Sequence, residues 1–246
     1  MSTHAEDLKL RLLTIELLQA AKRQHTYREL SAKTGLPVTV LSRYAKGHVL
    51  PNVARARELW RILQKLVGLK VELRRKIHFN SAGYFDNTGI VGDCNILRQA
   101  ARHALAAFAG KRVTLVLTAA VDGIPLATMV AGQLGVNLVV AKRSKEVGVP
   151  AFIEETYVLR DSGYTQTLLI PKNAIKRKDS VLIVDDMIKT GETQNALISL
   201  VRKAKAELSA MFTLIAIGDE WKRILDLPKR CQVEVVINVN PPKRER

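Results

Sequence analysis

Residues 181–193 read VLIVDDMIKTGET. An apolar run ends in two adjacent carboxylates, Asp185 and Asp186. A short stretch with Lys189, Thr190, Gly191, Glu192 and Thr193 then leads into a helical pattern. Carboxylates accept hydrogen bonds from hydroxyls, and a charged acceptor makes those bonds strong. Backbone N–H groups at a helix start, helped by threonine hydroxyls, form a site for an anion. Successive side chains on a strand point to opposite faces, so Asp185 and Asp186 cannot both face one way. One is expected to accept from the two hydroxyls of a ribose, the other to support the loop or a metal-bound water. Diol-binding acids directly before a phosphate cradle describe a pocket for a ribose 5-phosphate group. Glu192 is an acid within that cradle, tolerable if its side chain turns outward while its N–H points in.

This segment resembles the signature of type I phosphoribosyltransferases, proteins that bind phosphoribosyl pyrophosphate. The resemblance implies that Asp185 and Asp186 hold the ribose diol and that Lys189, Thr190, Gly191, Glu192 and Thr193 hold the phosphate. Lys189 stands where enzymes of the family often have Ser or Thr. Residues 118–127, TAAVDGIPLA, resemble the family's pyrophosphate loop, which implies diphosphate-binding roles for Ala120, Val121, Asp122 and Gly123. Gly123 is expected to allow close backbone approach to the ligand. Asp122 is unusual beside a diphosphate and needs a magnesium ion or an outward rotamer. Residues 141–146, AKRSKE, resemble the next strand end, where Lys142, Arg143 and Lys145 can reach diphosphate oxygens. Lys145 is expected to open a long flexible loop over the site, reaching about Thr165. Residues 81–90, SAGYFDNTGI, fall where such proteins carry a hood or dimer element, and Tyr84 and Phe85 there could stack on a base.

The surrounding pattern supplies elements to position these groups. Strands are expected at Val113 to Thr118, Asn137 to Ala141, Thr165 to Ile170, Val181 to Asp185, Phe212 to Ile217 and Val233 to Val239. Most are short continuous apolar runs, as in strands buried on both faces. Helical stretches at Ile96 to Phe108, Pro125 to Leu134 and Glu192 to Lys205 separate several of them. Strand alternating with helix predicts an α/β fold, a parallel sheet flanked by helices, with ligands at the carboxyl ends of its strands.

The first third reads differently. Leu8, Leu12, Ile15 and Leu18 recur at helical spacing, with Leu10, Leu13 and Leu17 widening the face. Further helices fit Tyr27 to Lys33, Val38 to Lys46 and a stretch from about Val53. Gly35 falls in the turn between the first two of these, where a positive φ is cheap for glycine. Ser31 is small where the helices cross, and Leu30, Leu36 and Leu41 can seal a core. Val38, Thr39, Ser42, Arg43 and Lys46 are left on the outer face of the second helix. The segment is similar to the Cro-type (xenobiotic-response-element) helix-turn-helix, including Gly47 and Pro51 beyond it. That resemblance implies that these five residues contact DNA in the major groove. Leu59, Ile62, Leu66, Leu69 and Leu73 follow heptad spacing, which suits either a dimer-forming helix or a linker packed on its own domain. The expected domains are 1–58, a helix-turn-helix; 59–79, a linker or dimerisation helix; and 80–246, a phosphoribosyltransferase-like effector domain.

Charge agrees with this division. The 246 residues carry a net charge of +16. Residues 1–76 hold 16 Lys and Arg against 6 Asp and Glu, a denser excess than in the remainder. A positive domain attracts polyanions, because each neutralised phosphate releases a counterion. Cys94 and Cys231 fit no zinc spacing and are expected as reduced thiols. Neither a secretory signal nor a membrane span is expected, so the expected location is the cytoplasm. The tail NPPKRER is expected to be a frayed basic end.

A helix-turn-helix joined to such a domain resembles archaeal regulators that look like orotate phosphoribosyltransferase. It also resembles purine-operon repressors, whose DNA-binding domain is a winged helix. The resemblance implies a homodimeric regulator, with an inverted-repeat DNA operator and with phosphoribosyl pyrophosphate or a nucleotide as effector, magnesium accompanying the former. The alternative is an active orotate or purine transferase with an appended DNA-binding domain. Orotate enzymes usually carry lysine, an acid and histidine in the flexible loop. Here Val147 and Gly148 stand after Lys145 and Glu146, which implies that no catalytic residue is assigned.

Overall fold

The computed structural model describes residues 3–80, 84–160 and 163–240. Residues 81–83 of the expected hood and the tail 241–246 lie outside the described residues. The chain divides into two compact units, Met1–Arg75 and Lys76–Arg246.

The first unit is helical: α1 (His4–Gln24), α2 (Tyr27–Thr34), α3 (Val38–Ala45), α4 (Val53–Val67) and α5, which starts at Leu69 and ends at Lys76. Capping boxes start α1 and α2. Thr3 and Glu6 exchange side-chain and backbone hydrogen bonds, and so do Thr26 and Glu29, satisfying N–H groups the helix leaves open. Gly35 closes α2 with φ of 68°, a left-handed conformation that favours glycine. Ser31 does more than leave room: its hydroxyl donates to the Leu36 carbonyl at 2.7 Å, fixing the turn. Leu17, Leu18, Leu30, Leu36, Leu41, Leu59 and Leu63 form one buried cluster. Leu8 and Leu12, expected on the apolar face, are 39% and 46% exposed. The buried face of α1 begins only at Thr14.

The Leu59 to Leu73 seam is not one helix. Gly68 takes an extended conformation and separates α4 from α5. Leu59, Leu69 and Leu73 are buried, whereas Ile62 and Leu66 are half-buried. Val67 and Leu63, outside the heptad reading, complete the buried stripe of α4. The segment through Arg75 therefore packs with the N-terminal unit, and the boundary falls inside the expected linker.

The second unit opens with β1 (His78–Phe79), β2 (Phe85–Asp86), α6 (Thr88–Val91) and α7 (Cys94–Ala107). It continues with β3 (Leu115–Ala119), α8 (Gly123–Leu134) and β4 (Asn137–Ala141). Then come β5 (Phe152–Val158), β6 (Thr165–Pro171), β7 (Ser180–Ile188) and α9 (Glu192–Lys203). The last are β8 (Glu207–Ile217), α10 (Trp221–Ile224) and β9 (Gln232–Val239). Five strands form a parallel sheet in the order β4-β3-β7-β8-β9. Leu115, Leu117, Val181, Ile183 and Met211 bury one sheet face against Leu197, Leu200 and Val201 of α9. Phe212, fully buried, meets His103 and Phe108 at the other end of the alternation. The fold is the expected α/β architecture of a parallel sheet flanked by helices.

Three strand expectations need correction. Thr165 to Ile170 is a strand, but it is no part of the parallel sheet. It pairs antiparallel with β5, from Phe152↔Pro171 to Val158↔Thr165. Phe152–Val158, within the expected flexible loop, is therefore a paired strand. Glu154 and Glu155 obscured β5, although Ile153 and Tyr157 alternate inward against the core. Finally, β7 does not stop at Asp185. It runs to Ile188, with Met187↔Ile215 and Ile188↔Ala216 still paired to β8. The acid pair thus lies within the strand, and the loop proper is Lys189 to Gly191.

Candidate functional site

The sheet's connectivity locates the site. From β3 the chain passes through α8 to β4 on one side, and from β7 through α9 to β8 on the other. Adjacent parallel strands whose connections diverge open a crevice at their carboxyl ends. The 120–123 turn and the 185–193 segment both leave from that crevice. Gly123 brings them into contact: a Cβ built there would lie 2.3 Å from Thr118 Oγ1 and 2.6 Å from Asp185 Oδ1. The glycine is needed for helix-to-strand packing, a role beyond the expected approach of a ligand.

Asp185 and Asp186 have separate partners but also lie within reach of each other's carboxyls. Asp185 accepts from Gln194 Nε2 of α9 at 2.7 Å, and the Asp186 N–H donates to its Oδ1 at 3.2 Å. Asp186 accepts from Asn87 Nδ2 at 2.7 Å. Both side chains are buried. Burial raises the Asp185 carboxyl well above the ordinary carboxylate range, with the neighbouring Asp186 charge adding to it. Burial also raises Asp186, opposed chiefly by the Asn87 hydrogen bond. Keeping charged carboxylates here costs stability, a pattern common at functional sites.

In the turn beyond β3, the Ala120–Val121 peptide is cis, Val121 and Asp122 are exposed, and Gly123 is buried. Asp122 Oδ2 lies 3.4 Å from the same Asn87 Nδ2 that holds Asp186. Asn87 thus bridges the two turns. Sequence reasoning passed over it, because it sits in a segment without periodicity. Gln194 was missed for a related reason, since one glutamine in a helical pattern gives no signal.

The loop Lys189 to Gly191 follows. Gly191 has φ of 95°, and its position faces Trp221 and Leu225, with a Cβ there 3.3–3.4 Å from both. Lys189 is exposed; Thr190 and Thr193 are half-buried. Glu192 contradicts its expectation. Its side chain is only 9% exposed and turns inward, accepting from the Thr190 hydroxyl, with Arg160 Nε at 3.6 Å. Thr193 Oγ1 is 3.3 Å from the hydroxyl of Tyr157. Arg160 and Tyr157 belong to the segment expected as a flexible loop.

The three expected diphosphate cations are less free than the sequence suggests. Lys142 is tied to Glu146, and Lys145 pairs with Glu154 at 2.7 Å. Arg143 is exposed. In the hood segment, Phe85 packs on Phe79 with ring centroids 5.5 Å apart, while Tyr84 is 64% exposed. Among the described residues, no group of three or more His, Cys, Asp and Glu side chains could hold a metal ion.

In the first unit, Val38, Thr39 and Arg43 of α3, with Lys46 at its end, are exposed on one side, while Leu41 and Ala45 are buried on the other. Ser42 is half-buried. No described helix is long and apolar enough to cross a membrane.

The chain belongs to the phosphoribosyltransferase domain family, whose model matches residues 93–245. It is 30% identical over 144 residues to the purine biosynthesis transcriptional repressor PurR of Bacillus subtilis, covering 58% of this chain and 50% of that protein. It is 28% identical over 167 residues to a hypoxanthine/guanine phosphoribosyltransferase of Methanocaldococcus vulcanius, covering 68% of this chain and 87% of the enzyme. Among solved structures, adenine phosphoribosyltransferase from Rhodothermus marinus superposes with a TM-score of 0.60 at 28% identity, over 70% of this chain and 98% of that one. The chain spans about half the length of the curated PurR regulators it matches.

Proposed function

We propose that this protein is a DNA-binding transcription regulator whose phosphoribosyltransferase domain senses phosphoribosyl pyrophosphate or a related nucleotide. One observation carries the reading. The chain joins a buried acid pair in the central strand of a parallel sheet, with an uncapped helix start after it, to a separate basic helical unit that exposes Val38, Thr39, Arg43 and Lys46 along α3. The first of these features alone would suit an enzyme; the second adds a surface suited to DNA. Similarity to PurR proteins supports a regulatory role. In the proposed complex, a homodimer sets two α3 helices in successive major grooves of an inverted repeat. Asp185 and Asp186 receive the ribose hydroxyls, and the start of α9 receives the 5′-phosphate. Magnesium is proposed to arrive with a diphosphate, whose oxygens supply ligands, with Asp122 as a hard carboxylate beside them.

Arg43 is the natural guanine reader, since a guanidinium can bond O6 and N7 together. Arg43→Ala is expected to cost about 1–3 kcal/mol at one base position and relax selectivity there. Operator selection from a random DNA pool, repeated at several salt concentrations, checks this. Wild-type protein that prefers no sequence at physiological salt would refute the regulator reading.

The second reading, an active transferase, is favoured by the 87% coverage of the archaeal enzyme. Transfer requires preorganised cations around the departing diphosphate. Here Lys142 and Lys145 are paired with acids, and Asp122 stands at the turn. Diphosphate release is therefore expected to stay at background when the protein, phosphoribosyl pyrophosphate and magnesium are incubated with orotate, adenine, guanine, hypoxanthine, xanthine or uracil. Multiple turnovers with any of these bases would establish the enzyme instead.

A further inference from the structure

We propose that Arg160 and Tyr157, carried by the β5–β6 hairpin, complete the phosphate end of the ligand site, and that Glu192 occupies the anion's place before a ligand arrives. The inference rests on the ribose 5-phosphate reading of Asp185 to Thr193 and adds residues and a ligand class to it: a pentose carrying a dianionic phosphate monoester.

Helix α9 begins at Glu192, and Gly191 before it offers no side-chain cap. The helix start is therefore open to an anion, and the helix dipole favours one there. The anion now present is Glu192 itself. Its carboxylate takes the Thr190 hydroxyl on Oε2. Its Oε1 is buried without a hydrogen-bond partner, and the Arg160 guanidinium is 3.6 Å away, too far for a hydrogen bond. A buried carboxylate oxygen with a cation just out of reach is a half-made contact. The hydroxyl of Thr193 is likewise engaged, by Tyr157, whose own hydroxyl donates to Gln166 Oε1 at 3.1 Å. Both threonine hydroxyls suited to a phosphate are held by protein groups.

A phosphate entering the same helix start would lie beside the Glu192 charge. Two anions side by side in a site of low dielectric repel strongly, and a cation between them removes the penalty. Arg160 is placed for that. Its side chain is 67% exposed, so it can turn without breaking buried packing. Its five donors can serve a carboxylate and a phosphate together. Strands β5 and β6 are paired from Phe152↔Pro171 to Val158↔Thr165, and β5 is tied to α9 by Lys203 Nζ to Glu155 Oε2 at 2.6 Å. Tyr157 therefore projects from a paired strand, and Arg160 stands two residues beyond its end.

The test is calorimetric titration of the full chain with ribose 5-phosphate. Arg160→Gln is expected to raise Kd about tenfold, the size of one charge-assisted contact. Glu192→Gln removes the competing charge and is expected to tighten binding by about three- to tenfold. The double variant should return to within about threefold of wild type, a non-additivity that marks groups acting together. Tyr157→Phe should weaken binding about threefold. An unchanged Kd in Arg160→Gln, or weaker binding in Glu192→Gln, overturns the inference. Failure of wild type to bind, or full binding by Asp185→Asn with Asp186→Asn, overturns the ribose-phosphate reading and the inference with it. Loss in that double Asn variant with no change in Arg160→Gln overturns the inference alone.

Discussion

Replacing Asp185 and Asp186 together by asparagine is expected to abolish ribose 5-phosphate binding while making the ligand-free protein more heat-stable at neutral pH. The two halves have one cause. Both carboxyls are buried, and burial raises their pKa. A folded-state value above the unfolded value means that the fold prefers the protonated acid. As pH rises from about 4, the ordinary range, through the raised folded values, ionisation subtracts stability. The amides never ionise and escape that loss. Each kcal/mol recovered should raise Tm by about 2–4 °C in a chain of this size. The gain should be present at pH 7 and vanish below about pH 4, where wild-type carboxyls are protonated too. The ligand needs what the fold resists. Hydrogen bonds to a charged acceptor contribute about 1.5–3 kcal/mol each, so losing two should weaken binding at least about a hundredfold. Melting curves across pH and titration of the same samples check both parts. DNA binding by the ligand-free variant should persist, because α3 belongs to the other unit. A double variant that binds as wild type would move the site elsewhere.

The trade explains why this part of the chain was the most legible. Two adjacent acids at the end of an apolar run have no use in packing, so their presence already speaks of a ligand. The run of alternating strands and helices was equally plain, since a sheet buried on both faces leaves long apolar stretches such as 181–184 and 210–217. What the sequence hid shares a physical cause. Asn87, Gln194, Tyr157 and Arg160 are single polar residues whose neighbours give no pattern; each acquires meaning only through contacts about 9 to 99 residues away along the chain. The hairpin was hidden because Glu154 and Glu155 look like loop residues. In the fold both carboxylates have cations, Lys145 and Lys203, so they cost a strand little. The inward Glu192 was hidden likewise, because its partner Arg160 lies on that unrecognised hairpin. The heptad seam was open between two readings, and the structure selects the linker packed on its own domain. Leucine spacing around Leu59 fits an intermolecular coil and an intramolecular core equally well, and only the break at Gly68 decides that the helix is not continuous.

Gly123→Ala separates two explanations for one glycine. If Gly123 served only to let the backbone approach a ligand, alanine would fold normally and merely bind less well. It would even gain up to about 1 kcal/mol, the difference between alanine and glycine in a helix. The structure gives a different expectation. The added methyl would lie 2.3 Å from Thr118 Oγ1 and 2.6 Å from Asp185 Oδ1. Neither neighbour can swing into solvent: Thr118 is fully buried on the inner strand β3, and Asp185 is buried and held by Gln194. Overpacking of that kind costs about 1–3 kcal/mol or more, which outweighs the helix gain. Tm should fall by about 2–4 °C per kcal/mol. Ligand affinity should fall with it, because relief of the clash moves Asp185 away from its place. Thr118→Ala removes the nearer obstacle, so Gly123→Ala should cost clearly less in a Thr118→Ala background than in wild type. That coupling is the decisive measurement. Melting temperatures of the two single variants and the double variant supply it. Strict additivity, or a Gly123→Ala protein that melts at or above wild type, would return the glycine to a role in ligand approach alone.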